Sequence, residues 1–243
     1  MKKLKSLSIF FPSLNDSKIL PYLIYKADKV ARGLTTNYEI IIINDGSTDD
    51  TRTVLQAMQK LYPELRVIHH KKNKGYGGAL ISGFNAAKKE WIFYTDGDGQ
   101  YDVGELPLLI QKISPSVDIV NGYKLNRVDN TARKIIGGIY NEFVQTVYKL
   151  PIRDVDCDFR LIRRSMLKKI NLYSQSGMIC MELVIKLYYA GGRFKEVGVH
   201  HYPRRFGTSQ FFNIKHIFRT LFDHFSFFRK TKVMRKSLST YSN

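Results

Sequence analysis

Short apolar runs rich in Ile, Val and Phe alternate along this chain with segments whose apolar residues recur every third or fourth position. Compact apolar runs read as strands, and the helical spacing reads as helices that bury one face. The pattern predicts strands near Leu7 to Phe11, Tyr38 to Ile43, Arg66 to His69, Trp91 to Thr95 and Asp118 to Asn121. Helices are expected between them, near Ser17 to Arg32, Asp49 to Leu61, Gly77 to Lys88 and Glu105 to Ile113. Such alternation builds an α/β fold, a mostly parallel Rossmann-like sheet with flanking helices. Beyond Asn121 the pattern is less regular. It predicts a long helix from Thr131 to Lys149, a short strand carrying Phe159 to Ile162, a helix from Met178 to Tyr189 and a final strand from Arg193 to Tyr202.

Composition narrows this picture. With 243 residues, 44% of them hydrophobic, the chain can bury a sizeable core and is not disordered as a whole. No run approaches the roughly 18 apolar residues that cross a bilayer, and the opening MKKLKSLSIFFPSLND is too short in apolar residues for a secretory signal. A cytoplasmic location is expected. Cys157 and Cys180 belong to no CxxC or Cys/His cluster and read as packed thiols. The formal charge of +18 calls for a polyanionic partner, whether nucleic acid, anionic lipid or a phosphate-bearing substrate. From Arg204 onward nine Lys or Arg face the single acid Asp223, so residues 1–210 read as the folded domain and 211–243 as a basic tail.

In a parallel sheet, ligands bind where loops and helix N-termini converge beyond the strand ends. The segment Trp91-Ile-Phe-Tyr-Thr-Asp96-Gly-Asp98-Gly-Gln100 is a buried strand that ends in two carboxylates around one glycine. Two such carboxylates repel unless a cation neutralises them, and a hard divalent ion, completed by water and phosphate oxygens, is the natural partner. An acidic surface turn is the plainer reading of the isolated triplet. After Ile40-Ile-Ile-Ile-Asn44, Gly46 permits a turn and Ser47, Thr48 or Asp49 can cap the next helix. Asp45 exceeds what that cap needs and could accept hydrogen bonds from a nucleobase or ribose. The run Gly75-Tyr-Gly-Gly78 has neither spacing of a phosphate loop and reads as the start of a tightly packed helix.

The segments Phe11-Pro-Ser-Leu-Asn-Asp16, Ile43-Asn-Asp-Gly-Ser-Thr-Asp-Asp50, Asn73-Lys-Gly-Tyr-Gly-Gly-Ala79 and Thr95-Asp-Gly-Asp-Gly-Gln100 resemble, in order and spacing, those of family 2 glycosyltransferases of the GT-A fold. The likeness is nearest to polyprenyl-phosphate glycosyltransferases related to dolichol-phosphate mannose synthase. It continues through Gly122 to Arg127, Arg133, Asp154 to Arg160 and Arg204 to Ser209, and covers roughly residues 6–212. The resemblance implies that Pro12, Asp16 and Asp45 hold the nucleoside, with Lys74 near the base or phosphates. It makes Asp96, Asp98 and Gln100 the ligands of Mg2+ or Mn2+ and the donor diphosphate. It assigns Arg133 to the acceptor phosphate and Arg204 or Arg205 to the pyrophosphate, with Ser209 assisting. Gln210 and Lys124 depart from the Lys and Arg usual at those positions.

The expected reaction is an inverting transfer from a nucleotide sugar, of the GDP-mannose or UDP-hexose type, to a polyprenyl phosphate. That acceptor is already anionic and needs no general base. A hydroxyl acceptor would need one, for which Asp154, Asp156 and Asp158 are candidates. A nucleic-acid-binding reading of the charge leaves the strand-end carboxylates unexplained, so no nucleic-acid partner is expected. In the tail, Phe211, Ile214, Phe218, Leu221, Phe222, Phe225 and Phe228 fall on one face of a helix, flanked by Lys215, Arg219, Arg229 and Lys230. Such a helix suits either the headgroup plane of an anionic membrane or a groove of its own domain. The first choice makes the protein peripheral on the inner face of the membrane.

Overall fold

The computed structural model describes residues 2–125, 141, 142 and 144–204. Its centre is a sheet of seven strands, β1 (Leu7–Ser13), β2 (Tyr38–Asn44), β3 (Leu65–His69), β4 (Trp91–Thr95), β5 (Ile119–Lys124), β6 (Phe159–Arg163) and β7 (Phe194–Val199). Their spatial order is β3-β2-β1-β4-β6-β5-β7, and β6 runs antiparallel to both of its neighbours while the other pairs are parallel. The helices are α1 (Leu20–Leu34), α2 (Thr51–Leu61), α3 (Gly75–Ala86), α4 (Leu106–Gln111), the single turn α5 (Arg164–Leu167) and α6 (Ile179–Tyr189). Of the long helix expected from Thr131 to Lys149, the described part is helical at 141, 142 and 144–148.

The four consecutive isoleucines of β2 show why the strands read as continuous apolar runs. Side chains alternate across a pleated strand, so Ile40 and Ile42 join the layer formed with Leu23 of α1, Leu55 of α2 and Leu109 of α4. Ile41 and Ile43 join the opposite layer, with Leu80 and Phe84 of α3 and Leu183 of α6. Burying each such side chain fully contributes about 1.5–3 kcal/mol. A third cluster packs Val144, Tyr148, Leu150 and Val155 against the far side of α6, where Met181 and Ile185 lie. Cys157 and Cys180 are both buried, in keeping with packed thiols.

Several boundaries move for identifiable reasons. β1 continues through Pro12 to Ser13, where it stays in register with Ile43 and Asn44. α1 begins at Leu20 rather than Ser17, because the Asp16 carbonyl accepts from the amides of Ile19 and Leu20 and forms a turn first. α2 begins at Thr51, since the Asp49 carboxylate accepts the Thr51 amide at 3.1 Å and so stands outside the helix. The helix expected from Glu105 splits into a 3-10 turn at Val103–Glu105 and the short α4, with Pro107 in its first turn. The last strand stops at Val199, and the chain after it turns back to pair His201 with Tyr101.

Candidate functional site

The parallel strands β1, β2 and β4 deliver their following loops to one edge of the sheet, and side chains bind those loops together. Asn15, held at φ 58, accepts the Thr48 amide on its Oδ1 at 2.8 Å, while its own amide donates to Ser47 Oγ at 2.9 Å. Gly46 stands at φ 75, and a Cβ there would come within 2.8 Å of the Asn73 amide nitrogen, so two loops meet on its bare backbone. Gly97 is equally constrained, because a Cβ would lie 2.4 Å from the Pro12 carbonyl oxygen. Pro12 is buried at this contact. The bare backbones of Gly75 and Gly77 make room for residues 174 and 175, and the Gly77 amide donates to the Gln175 carbonyl. That is the packing role read from the sequence.

Asp45 is 3% exposed at the end of β2. Its Oδ1 accepts both His70 Nδ1–H at 2.5 Å and the Lys74 amide at 2.9 Å. The backbone of Lys74 is therefore fixed to Asp45 while the residue itself is exposed. Asp98 accepts the Gln100 amide on Oδ1 at 2.9 Å and Arg204 Nη2–H on Oδ2 at 2.6 Å. Burial pushes the Asp16 carboxyl up to about 6, with the Leu14 amide opposing, Asp98 adding repulsion and Arg204 partly relieving it. Asp16, Asp98 and Arg204 thus occupy one electrostatic neighbourhood. The carboxyl of Asp96 is pushed well above the usual carboxylate range, chiefly by burial, with Asp158 and Asp98 adding to it.

Gln100, expected as a metal and diphosphate ligand, also binds the chain that follows β7. Its Nε2 donates to the Tyr202 carbonyl at 3.1 Å and its own carbonyl accepts the Tyr202 amide at 2.8 Å. That double contact carries the chain after β7 across the site and delivers Arg204 to Asp98. Among the described residues no group of three or more His, Cys, Asp and Glu side chains is arranged to hold a metal ion. The carboxylate pair Asp96 and Asp98 nonetheless fits a divalent ion, which is held elsewhere by one or two carboxylates with water and phosphate oxygens filling its shell. Their mutual repulsion, now offset on Asp98 by the Arg204 guanidinium, is the observation that makes the fit.

The three carboxylates of Asp154 to Asp158 have separate fates. Asp158 accepts from Tyr94 OH and from Arg160 Nη1–H, each at 3.0 Å, and from Cys180 Sγ–H at 3.1 Å. Arg160 is wholly buried, donating also to Asn121 Oδ1 and the Val155 carbonyl. Asp154 accepts the amide of Asp156 at 3.1 Å and shapes the turn. Asp156 is half-buried, no described residue donates to its carboxylate, and burial pushes it up to about 6 with Lys124 opposing. As a candidate base, then, only Asp156 is uncommitted among these three.

Tyr76 went unread in the sequence because it lies inside a glycine run that packing explains. Its hydroxyl lies 2.6 Å from Asp96 Oδ1 and 2.9 Å from Asp158 Oδ2, linking the Arg160 network to the Asp96 carboxylate. His70 went unread for a different reason: neither of the two adjacent histidines at the end of β3 carries a local signal. Arg133, Arg205 and Ser209, along with Gln210 and the tail helix, lie outside the described residues.

A mostly parallel sheet whose strand-end loops bring Asp16, Asp45, Asp96 and Asp98 to one edge, with Arg204 bound to Asp98, is the architecture of GT-A glycosyltransferases. The chain belongs to glycosyl transferase family 2, whose model matches residues 8–171. It is 29% identical over 212 residues to the undecaprenyl-phosphate 4-deoxy-4-formamido-L-arabinose transferase of Yersinia enterocolitica, a match covering 86% of this chain and 64% of the relative. The enzyme of the same name from Yersinia pestis strain Pestoides F is 29% identical over 210 residues, covering 86% and 63% respectively. The chain thus spans less than two thirds of the length of these relatives. Among solved structures, glucosyl-3-phosphoglycerate synthase from Mycobacterium tuberculosis with Mn2+, UDP and glucosyl-3-phosphoglycerate superposes with a TM-score of 0.64 at 17% identity, covering 84% of this chain and 73% of that one. The same enzyme with Mn2+, UDP-glucose and phosphoglyceric acid gives 0.67 at 16% identity, covering 84% and 72%. At such identity these likenesses speak for the fold.

Proposed function

We propose that this protein transfers a sugar, with inversion, from a nucleoside-diphosphate donor to a polyprenyl phosphate. The observation that carries the reading is the gathering of Asp16, Asp45, Asp96 and Asp98 at one sheet edge with Arg204 drawn to Asp98. The names of the Yersinia relatives support a polyprenyl-phosphate acceptor, and the Mn2+ in the mycobacterial enzyme supports a divalent ion. Asp96, Asp98 and Gln100 would hold Mg2+ or Mn2+, with Gln100 also positioning Arg204 through Tyr202. A bound divalent ion supplies charge stabilisation to the departing diphosphate. Arg204 donates to that diphosphate from the same side, and Asp16 and Asp45 accept from the nucleoside. Arg133, Arg205, Lys74 and Ser209 complete the phosphate contacts by resemblance.

A donor screen with Mn2+ or Mg2+, comparing phosphorylated polyprenol, free polyprenol and simple sugars, tests the reading. Product should appear with the phosphorylated lipid, and product on the free alcohol alone would overturn it. One observation favours a hydroxyl acceptor instead: the uncommitted carboxylate of Asp156, pushed up to about 6. A base must be ionised to accept a proton, so a mechanism through Asp156 would lose rate as pH falls below about 6. With a polyprenyl phosphate we expect Asp156→Asn to retain turnover within about tenfold and to leave the acid limb of the profile unchanged. Loss of several orders of magnitude, at unchanged donor affinity, would make the hydroxyl acceptor the better reading.

The basic tail would bring the site to the lipid. Among the described residues no helix is long and apolar enough to cross a membrane. Residues 211–243 would bind the anionic inner leaflet as a peripheral amphipathic helix, each cation contributing on the order of 1 kcal/mol. Deleting 211–243 should abolish salt-sensitive binding to anionic liposomes and leave residues 1–210 folded by circular dichroism. An unfolded truncation, with no liposome binding by the intact chain, would assign the helix to the core.

A further inference from the structure

Asp45, His70 and Ser82 form one hydrogen-bonded line across β2, the end of β3 and α3. His70 Nδ1 lies 2.5 Å from Asp45 Oδ1, and His70 Nε2 lies 2.9 Å from Ser82 Oγ. A carboxylate only accepts, so Nδ1 carries a proton. In the neutral ring Nε2 then accepts from the Ser82 hydroxyl, and both ring nitrogens are satisfied. The backbone fixes the ring as well: the His70 amide donates to the Asn44 carbonyl at 2.9 Å, extending the β2–β3 pairing by one residue. His70 is 8% exposed, so little water competes for these contacts.

The order Asp, His, Ser invites comparison with a hydrolytic triad, but Ser82 sits in the interior of α3, where the neighbouring amides are committed to the helix. No oxyanion donors are left beside its hydroxyl. The line points the other way, toward Asp45. His70 and the Lys74 amide both donate to Oδ1, and no described residue donates to Oδ2. Asp45 keeps 3% of its surface exposed at this sheet edge.

We propose that His70 is a positioning residue for donor binding. It fixes Asp45 Oδ1 and thereby presents Oδ2 to N–H or O–H groups on the nucleoside part of the donor, while Ser82 holds the other side of the ring at Nε2. This rests on the reading of Asp45 as a nucleoside contact. The carboxylate rotor is locked before the donor arrives, so the ordering cost of that contact is met in the fold rather than on binding.

The test is calorimetric binding of uridine and guanosine diphosphates, and separately of inorganic pyrophosphate, each with Mn2+, to the full chain. His70→Ala should weaken the nucleoside diphosphate that the intact protein binds by about 10–100-fold, the usual scale for losing a hydrogen bond to a charged group. Pyrophosphate affinity should stay within about twofold, because pyrophosphate has no nucleoside to meet Oδ2. His70→Asn, whose Nδ2 can stand near the lost Nδ1, should restore most of the affinity, and Ser82→Ala should cost about two- to fivefold. Equal loss for nucleoside diphosphate and pyrophosphate, without rescue by His70→Asn, would make His70 merely structural and overturn the proposal. So would unchanged affinity in His70→Ala while Asp45→Ala is impaired, which leaves the donor reading standing. If Asp45→Ala binds as the intact protein does, or the intact protein binds neither nucleotide, the nucleoside role of Asp45 fails and this inference falls with it.

Discussion

Asp98→Ala is expected to lower sugar transfer by at least about 10³-fold while the protein stays folded. Asp98 stands at the crossing of the site, with its Oδ1 on the Gln100 amide and its Oδ2 on Arg204. Removing it takes away half of the carboxylate pair proposed for the divalent ion and the anchor of the guanidinium proposed for the diphosphate. Stability should change little. Asp98 is itself a source of the repulsion that raises Asp16 and Asp96, and its deletion relieves both while freeing a partly exposed Arg204. The comparison is turnover with Mn2+ alongside thermal unfolding, and the parent protein should lose activity in excess chelator. Undiminished turnover in the variant, or in chelator, would remove the carboxylate pair from the mechanism.

Asp158→Ala should fail for the opposite reason, by losing about 3–5 kcal/mol of stability. Arg160 has 0% exposure, and Asp158 is the carboxylate that balances it, supported by Tyr94, Asn121 and the Val155 carbonyl. Deleting one partner leaves a buried charge without its hydrogen-bonded carboxylate, which costs far more than the pair contributes. Replacing both with apolar residues of similar volume, as in Asp158→Leu with Arg160→Met, should recover much of that stability. Urea denaturation of the single and double variants measures the difference. A single variant within about 1 kcal/mol of the parent would mean that water or the neighbouring Asp156 carboxylate already stabilises the Arg160 charge. Activity changes in Asp158 variants therefore bear on folding before they bear on a base, and Asp156 is the residue on which the acceptor question turns.

The carboxylates of the site were legible because local pattern produced them. Asp45 and Asp96 each follow a run of buried side chains, β2 and β4, and in a parallel sheet such positions arrive together at one edge. Strand length, two-sided burial and the glycines at 46 and 97 are consequences of near-neighbour sterics and pleat geometry, which sequence spacing encodes directly. The antiparallel placement of β6 between β4 and β5 was not legible, because a five-residue strand has no local mark of direction.

Which polar group meets which was decided only in the tertiary structure. Asp154, Asp156 and Asp158 look alike in the sequence, yet Arg160 and Tyr94 claim Asp158 and leave Asp156 uncommitted. Gln100 reads as a ligand in the sequence, and only the fold shows that it also holds Tyr202 two residues before Arg204, which reaches Asp98. Tyr76 and His70 became visible only when α3 and β3 brought them beside Asp96 and Asp45. Apolar burial is non-directional and depends on a residue's own face, so a periodic pattern suffices to specify it. A hydrogen bond or ion pair depends on a partner at a set distance and angle, often a hundred residues away, and only the closed fold supplies that partner.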